Sequence, residues 1–214
     1  MSSNIFLHSR QIIAQGHGEL QRLVVERKRF DGRTQVVTRE VYDPGDGAAI
    51  LLYDPKSTRV ALIRQFRIPA YLRDGHEALI EVCAGRLEGE DAKSRIIKEA
   101  EEETGFLVNN PRRVFEAYMS PGCFSEKITF FVAEYAPGSQ TSKGGGCDDE
   151  GEDIEVLEPT LDEAFEMIGR GEIIDAKTIM LLQYAKLAGL MRCRDSSGLP
   201  EAAAPSSKFR LRPP

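Results

Sequence analysis

Carboxylates on one side of a helix are the first feature of the sequence that could do chemistry. Residues 91–104 predict a helix, and Gly105 follows in the position where helices end. On a helical wheel, three residues mark the side that faces the protein: Ala92, Ile96 and Ala100. Three charged residues point away from it: Arg95, Lys98 and Glu101. Glu99 and Glu103 fall on the inward side, so the helix presents two carboxylates to the protein interior.

Two inward carboxylates at i and i+4 need a positive partner. Like charges at this spacing repel by roughly several tenths of a kcal/mol even on an exposed helix, and burial increases the cost. Mg²⁺ takes carboxylate oxygens, backbone carbonyls and waters, and binds together with substrate phosphates. Ala84 and Gly85 precede the helix, and a glycine lets a carbonyl approach the same ion. The predicted metal set is Glu99, Glu103 and the carbonyl of Ala84. A solvated acidic helix face is the alternative, and the wheel argues against it.

Two segments beside these glutamates carry a family motif. Residues 85–91 read GRLEGED, and residues 98–106 read KEAEEETGF. Together they resemble the Nudix box, G-x5-E-x7-R-E-U-x-E-E-x-G-U, where U is apolar. The first half is one residue shorter than the pattern, Lys98 replaces the usual Arg, and the first acidic position is Glu90 or Asp91. The resemblance implies a hydrolase whose glutamates bind Mg²⁺ or Mn²⁺ for attack of water on a diphosphate.

The resemblance extends over roughly residues 20–191. Further segments that carry it are 39–42, 62–67, 79–81 with 83–85, 118–122, 130–135, 144–146, 153–158 and 177–178. They are similar to the ADP-ribose pyrophosphatase branch of the Nudix family, and within it to the bacterial GDP-mannose hydrolases. This likeness implies an α/β (α+β) fold, the Nudix α/β/α sandwich with a mixed sheet. It also implies a homodimer in which N-terminal strands exchange between subunits and help to build the site.

One more carboxylate is implied on an acidic loop late in the chain. Residues 144–146 are glycines, which would let this loop move, and acidic residues follow them. The matching residue is Glu152, as a metal ligand or the general base. Glu150 is the alternative because the loop is longer than in the relatives, and a solvated loop without function is another. Glu102 is expected to have a lesser catalytic role, and Lys98 to orient the loop glutamates by ion pairing.

Several residues are candidates to bind substrate. Arg67 ends an apolar strand, and a guanidinium there can grip a phosphate with two donors; an ordinary surface arginine is the alternative. The resemblance implies further contacts: Glu126 and Lys177 to sugar or phosphate, Arg39 and Glu40 across the dimer, and His17 to the base. Lys177 would lie near the start of a helix, where the dipole disfavours a cation, and this favours a substrate role.

Composition and charge argue against several other functions. The 214 residues include 28 basic and 34 acidic side chains, and the net charge of −6 disfavours nucleic acid and anionic membranes as partners. The four cysteines form no C-x-x-C pair and the three histidines are scattered, so a zinc site has little support. Neither a signal sequence nor an apolar stretch of about 18 residues is present. We therefore expect a cytoplasmic protein with reduced thiols and no membrane span.

The order of elements predicts strands first and helices last. A hairpin is expected at 23–30 and 34–42; strands at 48–53, 60–66, 79–83, 113–118, 128–135 and 154–157; and helices at 161–169 and 175–191. This order suits a mixed α/β/α sandwich better than a doubly wound fold. We expect an N-terminal arm at 1–45, a Nudix domain at 46–193 and a disordered tail at 194–214. A basic docking peptide is the alternative for the tail.

These residues and the resemblance predict Mg²⁺-dependent hydrolysis of the pyrophosphate bond of a nucleoside diphosphate sugar. The resemblance favours GDP-mannose, which would give GMP and mannose 1-phosphate. An ADP-ribose or other ADP-sugar pyrophosphatase is the alternative, because the box does not encode base or sugar. A second alternative is a non-catalytic nucleotide-sensing domain. That alternative predicts a broken metal set, whereas Glu99, Glu102 and Glu103 are all present.

Overall fold

An antiparallel sheet forms the N-terminal part of the computed structural model, which describes residues 4–147 and 151–191. Its strands are β1 (Ile5–Gln15), β2 (Glu19–Lys28) and β3 (Thr34–Asp43), in the order β1-β2-β3. β2 and β3 form the predicted hairpin, and the turn contains Gly32 with a positive φ of 84°. β1 was not predicted from the sequence, and it pairs with β2 along nearly its whole length.

A second, mixed sheet contains seven strands within the described residues. They are β4 (Gly47–Asp54), β5 (Arg59–Gln65), β6 (Leu79–Glu81), β7 (Cys83–Arg86), β8 (Arg112–Tyr118), β9 (Lys127–Glu134) and β10 (Glu155–Leu157). The order is β10-β5-β4-β9-β8, while β6 pairs with β5 and β7 with β4. β4 and β9 run parallel and the other pairs are antiparallel. The prediction of a mixed sheet is confirmed.

Helices cover both faces of this sheet. They are α1 (Ile68–Asp74), α2 (Ala92–Thr104), α3 (Leu161–Gly169) and α4 (Ala176–Leu187). Alternate residues of β4 enter two different apolar clusters, because successive side chains of a strand point to opposite faces. Ala49 and Leu51 pack in the cluster that contains α3 and α4, and Ile50 and Leu52 pack in the cluster that contains α2. The predicted α/β/α sandwich is therefore confirmed.

The other predicted elements agree with the structure to within a few residues, with three exceptions. β7 was not predicted: the strand expected at 79–83 ends where β7 begins. α1 was not predicted; Pro69 lies in its first turn, where proline is well tolerated, and the helix contains no buried residue. α4 ends at Leu187, short of the predicted residue 191. The predicted tail at 194–214 lies outside the described residues. Within 4–147 and 151–191, no helix is long and apolar enough to cross a membrane.

Candidate active site

Helix α2 holds the two inward carboxylates. Its first turn is capped by Asp91, whose side chain accepts a hydrogen bond from Ser94 N at 3.1 Å. It ends at Gly105, which has a φ of 74° and donates its N–H to the carbonyl of Glu101. Glu99 is 7% exposed and Glu103 is 2% exposed. The prediction that both glutamates face inward is confirmed.

The two carboxylates repel each other, and both are buried. Burial raises the pKa of the Glu103 carboxyl well above its usual range, and the nearby Glu99 carboxylate adds to this rise. Burial also raises the pKa of Glu99, although the Arg95 guanidinium acts in the opposite direction. Oε2 of Glu103 is buried without a hydrogen-bond partner among the described residues. A buried acceptor of this kind is costly unless something positive satisfies it.

Arg95 does not point away from the protein, so that part of the wheel prediction was wrong. Its side chain is only 16% exposed, and its Nη2 lies 2.6 Å from Oε1 of Glu99. The long arginine side chain bends along the helix to reach a residue one turn later. A helical wheel shows only the direction in which a side chain leaves the helix, so it does not represent this contact. Part of the negative charge at Glu99 is therefore offset by a residue of its own helix.

The strand before α2 comes unusually close to Glu99. A Cβ atom on Gly85 would overlap the Glu99 carboxylate, so any larger residue at this point of β7 would displace the Glu99 side chain. Ala84 is the preceding residue of the same strand and is half-buried. The backbone at Gly85 thus lies against the Glu99 side chain.

The acidic loop is docked onto the end of α2. Gly145 N donates to Glu103 O at 3.0 Å, and Gly146 N donates to Glu102 O at 3.2 Å. A Cβ on Gly144 would overlap the backbone of Glu103 and Thr104, so the glycine serves close packing here, whereas the sequence suggested loop movement. These contacts place the later part of the loop, which contains Glu152, beside the end of α2.

Glu152 lies at the same site as the buried pair. Its Oε2 accepts a hydrogen bond from Cys147 N at 3.0 Å. It is one of the negative charges that raise the pKa of Glu103, after burial and Glu99. The structure thus brings Glu152 to the two helix glutamates, whereas Glu150 lies outside the described residues.

The remaining charged residues of the motif are on the outer side. Glu102 is exposed, and Lys98 forms an ion pair with Glu90 at 2.7 Å. The Lys98 pairing is the one predicted from the sequence. The two candidates for the first acidic position of the motif thus have different contacts: Glu90 pairs with Lys98, and Asp91 caps the helix.

Three predicted substrate contacts cluster beside the carboxylates. Arg67 Nε and Lys177 Nζ both contact the buried carboxylate of Glu81, at 2.7 and 3.4 Å. The positive charge of Arg67 acts to lower the pKa of Glu103, and the positive charge of Lys177 acts to lower the pKa of Glu126. Burial raises the pKa of Glu126, and Lys177 only partly opposes this. Arg67, Glu126 and Lys177 therefore border one site.

The predicted contacts on the N-terminal sheet are arranged differently. His17 is exposed in the turn after β1, and its backbone oxygen accepts from Arg86 Nη2 at 2.7 Å. Glu40 pairs with Arg22, and Arg39 donates to the backbone of Thr38. In the described chain these contacts of Arg39 and Glu40 stay within β2 and β3, so the structure does not bring them to the carboxylates.

The donor set fits a hard divalent cation. Glu99, Glu103 and Glu152 offer carboxylate oxygens, and one oxygen of Glu103 has no partner in the described structure. Within residues 4–147 and 151–191, however, no group of three His, Cys, Asp or Glu side chains is already arranged around one ion position. Oxygen donors of this type suit Mg²⁺ or Mn²⁺ and do not suit soft metals. Divalent-cation binding would also relieve the repulsion between the buried carboxylates.

The family follows from comparison with known domains. A model of the NUDIX domain matches residues 43–182, which include both halves of the motif, Glu152 and Lys177. The chain belongs to the Nudix hydrolase family. Nudix hydrolases use divalent metal ions, which agrees with the oxygen donors of this site.

Named relatives of this Nudix hydrolase are similar over most of their length. It is 43% identical over 192 residues to a GDP-mannose pyrophosphatase of Klebsiella pneumoniae, covering 89% of this chain and 96% of that protein. It is 45% identical over 193 residues to a GDP-mannose pyrophosphatase of Escherichia coli O1:K1 / APEC, covering 89% and 100%. A solved structure of an ADP compounds hydrolase matches with a TM-score of 0.65 at 18% identity, covering 89% of this chain and 98% of that one. That structure supports the Nudix fold alone.

Two residues of this Nudix site were missed by the sequence reasoning. Arg95 was assigned to the outer face, and Glu81 received no role although it lies in a segment that resembles the family. The available signal for Glu81 was a lone carboxylate within the otherwise apolar stretch 79–84. Such a residue is rarely buried unless it is paired.

Proposed function

We propose that this Nudix hydrolase cleaves the pyrophosphate bond of a nucleoside diphosphate sugar in the presence of Mg²⁺, with GDP-mannose as substrate and GMP and mannose 1-phosphate as products. The observation that carries the proposal is the buried pair Glu99 and Glu103 with Glu152 beside it. The relatives named GDP-mannose pyrophosphatase, at 43% and 45% identity, support the choice of base and sugar.

The metal would be held by the carboxylates of Glu99 and Glu103 and by the carbonyl of Ala84. Glu152 would either join them as a further ligand or serve as the general base. A bound divalent cation supplies Lewis-acid polarisation of a phosphoryl oxygen and offsets its negative charge. Mn²⁺ takes the same kinds of ligand and is a second candidate. Glu102, which is exposed beside this set, has a supporting role through its own charge or through water.

Arg67 and Lys177 would bind the diphosphate. Arg67 uses its Nε on Glu81, and within the described residues neither of its Nη atoms has a hydrogen bond, so both can donate to a phosphate. Lys177 is mostly buried yet charged: burial lowers its pKa, but Asp175 and Glu81 outweigh this and the pKa ends above its usual value. Glu126, beside Lys177, would accept hydrogen bonds from sugar hydroxyls.

Glu152 would act on the attacking water. One of its oxygens is held by Cys147 N, which leaves the other to accept a proton from the water. The water oxygen would then bond to one phosphorus of the substrate, while the bond from that phosphorus to the bridging oxygen breaks and the other phosphate product leaves. Glu152 reaches the site because 145 and 146 dock on α2, so its position is set by backbone hydrogen bonds rather than by a long free side chain. A carboxylate positioned in this way is suited to general-base catalysis.

A hydrolysis panel tests the proposal. GDP-mannose, ADP-ribose and other nucleoside diphosphate sugars are compared at equal concentration with Mg²⁺, and products are identified by mass spectrometry. We expect GMP and mannose 1-phosphate to form faster than AMP from ADP-ribose. The opposite preference would overturn the substrate assignment and favour the ADP-sugar alternative. No hydrolysis of any member, with Mg²⁺ or Mn²⁺, would favour the sensing alternative.

We also propose a homodimer with exchanged N-terminal strands. β1 is exposed along its whole length, and its apolar side chains include Phe6 at 62% and Ile12 at 51% exposure. An apolar strand of this size is normally covered by a partner. Arg39 and Glu40, which stay within their own sheet, would then reach the site of the second subunit, and His17 would lie near the base. Light scattering should give about twice the chain mass of 23.8 kDa; a monomer at assay concentration would contradict the dimer.

The enzyme is proposed to work in the cytoplasm. Three cysteines of the described chain are free thiols: Cys83, Cys123 and Cys147. Free thiols are typical of a reducing compartment.

A further inference from the structure

Glu81 is a buried carboxylate that belongs to neither the metal set nor the substrate contacts. It is 3% exposed, at the last position of β6, where it pairs with Ile63 of β5. Burying a charged carboxylate is expensive unless it is paired. The surroundings of Glu81 therefore have to supply positive charge.

Two cations from distant parts of the chain meet on this carboxylate. Arg67 Nε lies 2.7 Å from Oε2, and Lys177 Nζ lies 3.4 Å from Oε1. Each oxygen thus holds one cation, and the two cations are kept apart by the width of a carboxylate. Arg67 remains 41% exposed and Lys177 19% exposed, so both also face the open side of the site.

The backbone around Glu81 is fixed from the other side. Val82 N donates to Thr178 Oγ1 at 2.8 Å, and Thr178 Oγ1 donates to Asp175 at 2.7 Å. Asp175 caps α4 and accepts a further hydrogen bond from Lys177 Nζ at 2.7 Å. This network joins β6 to the first turn of α4, so Glu81 and Lys177 keep a constant relative position.

We infer that Glu81 is a positioning residue, which holds Arg67 and Lys177 at a separation suited to the two phosphates of the substrate. The inference rests on the proposed function, because it gives these two cations a diphosphate ligand. Because Arg67 is bound to Glu81 through Nε, its Nη atoms stay available to the substrate. Because Lys177 already contacts Glu81, its side chain has fewer conformations to lose when a phosphate binds. Glu81 itself does not contact the substrate.

Glu81→Gln tests this role, since it keeps the size of the side chain and removes its charge. We expect KM for the nucleotide sugar to rise about tenfold or more, with a smaller change in kcat. The matched control is Asp54→Asn, which alters another buried carboxylate, 5% exposed, that holds only the turn at Lys56 and Ser57. That control should lower Tm without changing KM. An unchanged KM in folded Glu81→Gln would overturn the inference.

A double-mutant cycle separates positioning from general destabilisation. If Glu81 acts through the two cations, Glu81→Gln should change KM by less than about twofold in an Arg67→Ala, Lys177→Ala background. A tenfold effect that persists in this background would contradict positioning. If Glu81→Gln does not fold, Glu81→Asp replaces it in the cycle. The aspartate side chain is one methylene shorter, so it keeps the negative charge but moves the carboxylate away from Arg67 and Lys177.

Direct binding of a diphosphate keeps this test independent of base and sugar. Methylenediphosphonate, which cannot be hydrolysed, is titrated calorimetrically into wild type and Glu81→Gln at saturating Mg²⁺. We expect about tenfold weaker binding to the variant. This result would support Glu81 even if the hydrolysis panel excluded GDP-mannose, whereas equal affinities would reject the role of Glu81 even if GDP-mannose were cleaved.

Discussion

Glu103→Gln should lower kcat at least about 100-fold while the protein stays folded, a loss typical of removing one preorganised electrostatic contact to a transition state. Glu103 is 2% exposed, and one of its oxygens has no partner among the described residues. Glutamine fits the same space but carries no charge, and its NH₂ group cannot bind a cation. The substitution also removes the repulsion with Glu99, so the metal-free variant should be at least as stable as wild type.

Glu101→Gln is the matched control, because Glu101 lies on the outer face of the same helix. It should retain wild-type turnover. Thermal unfolding with and without Mg²⁺ provides a second readout: the ion should raise Tm of wild type and of Glu101→Gln, and leave Tm of Glu103→Gln nearly unchanged. Near wild-type turnover in Glu103→Gln would refute the assignment of Glu103 to the metal set.

The direction of the helix glutamates could be predicted because it depends on local geometry. The period of α2 and its end at Gly105 place Glu99 and Glu103 on the buried side, as observed. Arg95 shows where this reasoning ends. Its Cα direction is outward, but its side chain is long enough to return to Glu99, 2.6 Å away. Side-chain reach depends on neighbouring charges, which a wheel does not contain.

Glu81 and two of the unpredicted elements, β1 and α1, could not be found from local sequence patterns. The partners of Glu81 are 14 and 96 residues away in sequence, so no local pattern connects them. β1 is exposed at every position, and its sequence lacks the alternation of apolar and polar residues that indicates a half-buried strand. α1 has no buried residue and therefore no apolar period. The end of an apolar strand indicated Arg67 and the resemblance supplied Lys177, but neither indicated the carboxylate that joins them.

Glu152→Gln should lower kcat about 100-fold or more, within the range expected for loss of a general base. Glu152 influences both Glu99 and Glu103 electrostatically, and its Oε2 is held by Cys147 N at 3.0 Å. Glutamine retains the volume but cannot take a proton from water. Glu150→Gln, the same change two residues earlier in the loop, is the matched control and should leave kcat within about twofold of wild type. The two variants are compared by steady-state kinetics on the same substrate.

The Mg²⁺-dependent change in Tm then separates the two roles open to Glu152. A general base does not hold the ion, so Glu152→Gln should keep the Mg²⁺ effect on Tm while losing turnover. A metal ligand would lose both, as Glu103→Gln should. A large loss of kcat in Glu150→Gln, with Glu152→Gln active, would move the base to residue 150.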